Sequence, residues 1–145
     1  MDDERISFSG NSILLRVASG ATDNGALVTG YLPSGLDAAR YEISGLAIPG
    51  QLIQSYTVTA FDGYGSSGST GLLSPAPPAS LVFLFNNNTV SFNLDSIVFQ
   101  DRGTGQSGAY AEFRIDLVTT PAPEPASALL LLAGGALLRL RRRAP

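Results

Sequence analysis

The sequence predicts an all-β domain, and three observations support this prediction. Residues 111–117 alternate apolar and charged side chains, which is the period of two expected of a strand with one buried face. Residues 80–94 have the pattern of a β-hairpin, because Asn86–Asn88 separate two arms and asparagine tolerates the left-handed backbone of a tight loop. Short candidate strands alternate with turn signals, as in sandwiches and barrels. We therefore expect a β-sandwich, jelly-roll-like or immunoglobulin-like, over residues 1–118.

The two arms of the predicted hairpin differ in their pattern. The first arm, residues 80–85, is apolar on both faces, so we expect a strand that is buried on both sides. The second arm directs Val90 and Phe92 to one face and Ser91 and Asn93 to the other.

Weaker signals predict five further strands, which Gly, Pro and Asn turn signals separate. They cover residues 12–17, 26–31, 40–43, 55–61 and 97–100. No convincing helix precedes residue 126, although residues 36–41 could form a single helical turn.

The composition narrows the classes of function. The 145 residues include no His, Cys or Trp, and all nine basic residues are Arg. The absence of Cys excludes disulfides and zinc-thiolate sites, and the absence of His removes the commonest general base and metal ligand. Charged residues make up 14%, against about 25% in an ordinary soluble protein. We therefore expect a non-enzymatic protein that needs no metal or other cofactor.

The charge is divided between two regions. Residues 1–120 carry five Arg against eleven Asp and Glu, a net charge of −6, whereas residues 121–145 carry four Arg against Glu124, a net charge of +3. Because nucleic-acid binding draws on basic contacts to phosphate, the acidic body argues against a nucleic-acid partner. A basic cluster at one end favours orientation at a membrane.

The C-terminal region has three successive parts. Residues 119–125 form a Pro-rich linker that ends in Pro123, Glu124 and Pro125, and its prolines favour an extended, protease-accessible backbone. Residues 126–138 are apolar and predict a short hydrophobic helix in the membrane, with Ala126, Leu129, Leu132, Leu137 and Leu138 among its apolar residues. Residues 139–145 form a basic anchor expected on the cytoplasmic side, through Arg139, Arg141, Arg142 and Arg143.

This order of motifs resembles the PEP-CTERM sorting tail of Gram-negative bacteria, over residues 121–145. The resemblance implies export, a precursor anchored transiently in the inner membrane, and recognition by an exosortase, an intramembrane cysteine transpeptidase. Processing near Pro123–Pro125 would then deliver the body to the cell surface or the extracellular polysaccharide.

Two features depart from that pattern. The 13 apolar residues would reach about 20 Å as a helix, against a hydrocarbon core of about 30 Å. The acidic start at residues 1–5 is not a secretory signal, which needs a basic start and an apolar run. We expect that the start codon has been assigned too far downstream; the alternatives are a fragment or a vestigial tail.

The body is expected to have a structural or adhesive role in the cell envelope, extracellular matrix or biofilm. One alternative is a carbohydrate-binding module of the exopolysaccharide matrix, with Tyr64 in the glycine-rich loop 63–71 as the ligand-contacting residue. A second is a glycosidase-like enzyme that uses carboxylates alone. The motif G-x-G-x-x-G at residues 63–68 lacks the helix that a dinucleotide site requires, so a flexible loop is favoured.

Two groups of residues are assigned ordinary structural roles. The acidic residues Asp62, Asp95, Asp101 and Asp116 do not have the spacing of a calcium loop, and we interpret them as solvated carboxylates. The tyrosines Tyr31, Tyr41, Tyr56 and Tyr110 are interpreted mainly as half-buried cross-strand partners.

Overall fold

The computed structural model describes residues 4–31, 38–61, 70–74, 76–101, 103 and 108–122. Within these ranges the protein is all-β, as predicted, and contains no helix. The strands are β1 (Arg5–Ser9), β2 (Ser12–Ala18), β3 (Ala21–Asp23), β4 (Ala26–Val28), β5 (Arg40–Ile43), β6 (Gln51–Phe61), β7 (Val82–Phe85), β8 (Thr89–Asn93), β9 (Val98–Phe99) and β10 (Tyr110–Pro121).

These strands form three antiparallel sheets in the described part of the chain. A four-stranded sheet has the order β1-β2-β10-β6, and two three-stranded sheets have the orders β3-β4-β9 and β5-β8-β7. The longest strand, β10, is central, since it pairs with β2 along Tyr110–Asp116 and with β6 along Glu112–Pro121. A register shift between Val118 and Thr119 interrupts the second ladder. Thus Thr119–Pro121, at the start of the Pro-rich segment, still belongs to this sheet.

The alternating pattern of the sequence accounts for the core. Phe113 and Ile115 of β10 and Ile13 and Leu15 of β2 are buried on the same face of the four-stranded sheet, whereas the residues between them face outward. The buried apolar residues of all three sheets form one cluster. Phe113 meets Phe92 of β8 edge to face, with 5.1 Å between ring centroids and 65° between ring planes. This contact joins the four-stranded sheet to the sheet β5-β8-β7.

The strand predictions agree with the structure best where the alternation is strongest. The pattern at residues 111–117 lies within β10, residues 12–17 lie within β2, and residues 40–43 coincide with β5. The strand predicted over residues 26–31 ends at Val28; soon after, Gly30 has φ +78 and packs so tightly that an added Cβ would lie 2.9 Å from the carbonyl carbon of Gly20.

Other boundaries differ from the predictions. The strand predicted over residues 55–61 begins earlier, at Gln51, and the strand predicted over residues 97–100 is reduced to Val98–Phe99. The short strands β1 and β3 were not predicted, because five and three residues give too few alternations to stand out. The helical turn considered over residues 36–41 is wrong in its described part, since Arg40 and Tyr41 begin β5.

The predicted hairpin is present as β7 and β8. Asn86 and Asn87 adopt the left-handed backbone, with φ of 50° and 58°, and the Asn88 N–H donates to the Phe85 carbonyl at 3.2 Å. This turn fixes the register of the two strands, in which Phe83 lies opposite Ser91. The asparagines therefore have the role that the sequence predicted for them.

The prediction that the first arm is buried on both sides is wrong. Val82 and Leu84 face the core, but Phe83 and Phe85 are 45% and 51% exposed. The physical reason is that the sheet β5-β8-β7 packs on the core with one face only, so alternate residues of β7 project into solvent.

Candidate binding surface

The exposed side of the sheet β5-β8-β7 presents two aromatic rings beside a polar strip. The pairing registers put Phe83, Ser91 and Glu42 in one row across the sheet, and Phe85 and Thr89 in the next. We call this surface the phenylalanine face and define it by Phe83, Phe85, Thr89, Ser91, Asn93, Arg40 and Glu42.

The two rings of the phenylalanine face lie close together. Their centroids are 6.4 Å apart and their planes are inclined by 31°. This separation follows from the strand itself, because residues i and i+2 share a face and lie about 6.6 Å apart. Neighbouring half-exposed aromatic side chains form an apolar patch, and such patches mark interaction sites on soluble proteins.

The polar side of the phenylalanine face comes from β8 and β5. Thr89, opposite Phe85, donates its hydroxyl to Oδ1 of Asn88 at 3.0 Å. Ser91, in the middle strand, is only 3% exposed although it lies on this outer side. Arg40 and Glu42 form an ion pair at 3.7 Å, so the charges on this face balance one another. The surface therefore combines ring faces with the accessible polar side chains of Thr89, Arg40 and Glu42, and it carries little net charge.

The outer side of the four-stranded sheet is chemically different. Arg5 and Arg16 each approach Glu112 at 3.8 Å, and Arg114 Nε donates to Asp116 at 2.9 Å. We call this surface the ion-pair face and define it by these five residues. Its charged groups are matched to one another within the sheet.

Two further contacts order the ion-pair face. The guanidinium of Arg16 lies 3.5 Å from the ring centroid of Tyr110, in cation–π geometry. Asp116 accepts a hydrogen bond from the Ser12 hydroxyl at 2.5 Å. This bond chiefly, and the bond from Arg114 in addition, lowers the pKa of the Asp116 carboxyl. The carboxylate is thus held in its charged form for structural reasons.

A third polar cluster joins Glu4, the residue before β1, to Tyr31 and to Tyr41 of β5. One carboxylate oxygen of Glu4 accepts the hydroxyls of Tyr31 at 2.5 Å and Tyr41 at 2.8 Å, and the two rings meet edge to face. Burial raises the pKa of both tyrosines most strongly, and their hydrogen bonds with Glu4 raise it further. These phenols stay neutral and hold Glu4 against the two tyrosine rings.

One described cleft is lined by apolar and hydroxyl-bearing side chains. It has a volume of about 410 Å³ and lies beside the bridge between Leu72 and Phe99. Its described lining is apolar or hydroxylic, without an acidic or basic side chain: Leu72, Leu73, Ser74, Ala76, Pro78, Ser96 and Val98. Among these described side chains, none carries a carboxylate or a basic group that could serve as a general acid or base.

The described acidic residues that we considered as calcium ligands have other contacts. Asp95 accepts the N–H of Ala39 at 3.1 Å, and Asp101 accepts the N–H of Gly103 at 2.8 Å. No group of three or more Asp or Glu side chains that could hold a metal lies in the described ranges. The carboxylates at these turns therefore have structural roles.

Several predicted site residues lie outside the described ranges. Tyr64 and Asp62 lie in one such stretch, and the whole sorting tail lies in another: Pro123, Glu124, Pro125, Ala126, Leu129, Leu132, Leu137, Leu138, Arg139, Arg141, Arg142 and Arg143. Among the residues that are described, no helix has the length and hydropathy needed to cross a membrane. The membrane segment over residues 126–138 stays a prediction.

The sequence interpretation missed Phe83 and Phe85 as surface residues. The sequence of the neighbouring strand β8 contains an indication of their exposure. The asparagine loop sets a register in which Phe83 lies opposite the polar residue Ser91. A polar residue in the middle of a sheet indicates the solvent side, and its neighbours across the ladder must share that side.

Comparisons with known proteins return nothing for this chain: no family model, no curated protein and no solved structure matches it.

Proposed function

We propose that this protein is exported to the cell surface or extracellular matrix, where it has a structural or adhesive and non-enzymatic role. An exosortase would process its precursor through the C-terminal signal while the apolar segment holds it in the inner membrane. The observation that carries this proposal is the order of Pro123–Pro125, the apolar run 126–138 and the arginines of residues 139–145.

On this proposal the body is a β-sandwich, in which the four-stranded sheet packs against the two smaller sheets. Support comes from the single buried cluster that all three sheets share and from the ring contact between Phe92 and Phe113. A two-layer β body suits an extracellular module, and in this cysteine-free chain a shared apolar core would stabilise the layers in place of disulfides.

The second candidate function is that of a carbohydrate-binding module in the exopolysaccharide matrix. The phenylalanine face favours it, since Phe83 and Phe85 leave aromatic rings in solvent next to polar side chains. Tyr64, the residue that the sequence nominated for this role, lies outside the described ranges and stays a prediction.

The sorting proposal is tested by deleting Pro123–Pro125 at the native locus and fractionating the cells. We expect the full-length deletion variant to accumulate in the inner-membrane fraction, because the protease recognition element is gone while the apolar segment and the arginines remain. Intact mass of the wild-type protein should place its C-terminus near Pro125.

The matched control is Pro145→Ala, which changes a proline at the far end of the tail and should leave processing unchanged. Release of the deletion variant at the wild-type rate would refute the proposed role of the motif. Retention of both ends of the wild-type chain in the cytoplasm would refute export altogether.

A further inference from the structure

We propose that the phenylalanine face binds a single, neutral polysaccharide chain, whose sugar rings stack on Phe83 and Phe85 and whose hydroxyls bond to the polar strip beside them. This inference rests on the second candidate function above and names the surface and the ligand class for it. Three properties of the face lead to it, namely its mixed polarity, the inclination of its rings and its charge.

The mixed polarity selects an amphipathic ligand. The apolar area consists of Phe83 and Phe85 on an edge strand, and the next strand inward presents Thr89 opposite Phe85. Opposite Phe83, Ser91 is only 3% exposed, so the exposed polar group of that row is Glu42 of β5. A protein partner with an apolar interface core would take Thr89 and Glu42 out of water, which costs free energy. A pyranose ring has C–H groups on its faces and hydroxyls around its edge, so it matches the rings and the polar groups together.

The inclination of the rings selects a single chain over a flat crystalline surface. Because the planes of Phe83 and Phe85 differ by 31°, the two rings do not form one flat platform for a planar array of sugars. Successive sugars of a free chain rotate about their glycosidic bonds and can meet the two inclinations in turn. The rings follow one another along β7, so the chain would run parallel to this strand.

The charge selects a neutral polymer. On the face itself, Arg40 and Glu42 neutralise each other at 3.7 Å. Around it, residues 1–120 carry a net charge of −6, which repels uronic or sulfated polysaccharides over the range of a Debye length. A neutral chain is not repelled, and the hydroxyls at the edges of its sugars can donate hydrogen bonds to the Glu42 carboxylate and to the Thr89 hydroxyl oxygen.

The test uses the full-length protein in mild detergent, with three groups of probes. Hydroxyethyl cellulose, galactomannan and soluble starch are neutral free chains, alginate and polygalacturonate are anionic chains, and microcrystalline cellulose is a flat surface. Affinity electrophoresis and pull-down measure binding. We expect retardation by at least one neutral soluble chain and little binding to the anionic or crystalline probes.

Variants locate the binding surface. Phe83→Ala and Phe85→Ala should each weaken binding about three- to tenfold, and the double variant should abolish it. Phe83→Leu should also weaken binding, because leucine retains apolar area but offers no ring face. The matched control is Leu73→Ala, which removes an apolar side chain that is 67% exposed outside this face and should leave binding unchanged.

Three outcomes would overturn the inference: binding to none of the soluble neutral chains, preference for the anionic or crystalline probes, or unchanged binding by the double variant. Retention of the wild-type protein and of the double variant in the native matrix is measured in parallel. This measurement distinguishes failure of the polysaccharide inference from failure of the proposed adhesive function. If the wild-type protein is retained there without binding any polysaccharide, the adhesive role stands and its partner is of another class.

Discussion

The two outward-facing sheet surfaces of this protein expose different kinds of side chain to water. On the ion-pair face, the carboxylates of Glu112 and Asp116 are paired with arginines of the same sheet. On the phenylalanine face, Phe83 and Phe85 remain half exposed. A surface whose groups satisfy one another needs no ligand, whereas exposed rings gain free energy when a ligand covers them. This difference supports our proposal that the phenylalanine face, and not the ion-pair face, binds a ligand.

The largest expected effect is a loss of folding stability from a substitution in the core, because both faces belong to sheets that pack on this core. Phe92→Ala removes a side chain with no exposed surface, whose ring packs against Phe113 of the opposite sheet. We expect a loss of about 3–5 kcal/mol in the free energy of unfolding. Urea unfolding followed by circular dichroism measures it, since the chain has no Trp.

The same experiment examines the proposed β-sandwich. Sheets that share one core should unfold in a single transition, both in the wild-type protein and in Phe92→Ala. Two separate transitions, or a loss below about 1 kcal/mol, would mean that the sheets do not depend on this contact.

An intermediate effect is expected on the ion-pair face. Ser12 donates to one oxygen of the Asp116 carboxylate and Arg114 to the other, so Asp116→Asn removes the charge and one of these two acceptors. We expect a cost of about 1 kcal/mol at neutral pH. The matched control is Glu42→Gln on the phenylalanine face, whose ion pair with Arg40 is longer and more exposed. Its effect should stay within about 0.5 kcal/mol.

The decrease in stability at acidic pH gives a second test of the role of Asp116. Because folding lowers the pKa of Asp116, its contribution is present above the ordinary Asp pKa of about 4 and is lost as the pH falls through the lower folded value. Thermal unfolding between neutral pH and about pH 2 should show a shallower decline in Asp116→Asn than in the wild-type protein. Identical acid limbs would contradict the assigned role.

The smallest effect on stability is expected on the phenylalanine face. Phe83→Ser and Phe85→Ser replace half-exposed rings that face away from the core, so each should change the free energy of unfolding by about 0.5 kcal/mol or less. Urea midpoints of the two variants and the wild-type protein provide the measurement. A loss above about 2 kcal/mol would show that these rings act in folding, and would remove the contrast between the two faces.

The sequence was most informative where local pattern and tertiary environment agree. The alternation at residues 111–117 predicts both the strand β10 and its buried face, and the asparagines at residues 86–88 predict the turn. Both signals are local, since they depend on the side-chain period and on the backbone preference of one residue type.

The candidate binding surface was harder to predict, because its position depends on a contact that the local pattern does not encode. Residues 82–85 are all apolar, so periodicity alone cannot say which face of β7 meets the core. The core packs against a single face of this sheet, and that choice exposes Phe83 and Phe85. The short strand β1 went unnoticed for a related reason, since its side chains are exposed and its partners lie on β2.

If the protein is held at its C-terminus, as we propose, the central position of β10 has a mechanical consequence. This strand is bonded to β2 on one side and to β6 on the other, and after it the Ala122 N–H donates to the Gly50 carbonyl at 2.9 Å. Ladder hydrogen bonds lie perpendicular to the strand, so a pull along β10 loads them in shear and distributes the force over both ladders. An anchor attached to an edge strand would instead peel its bonds one after another. Tension applied at the C-terminus would thus act along β10, the direction in which the hydrogen bonds of both ladders resist it together.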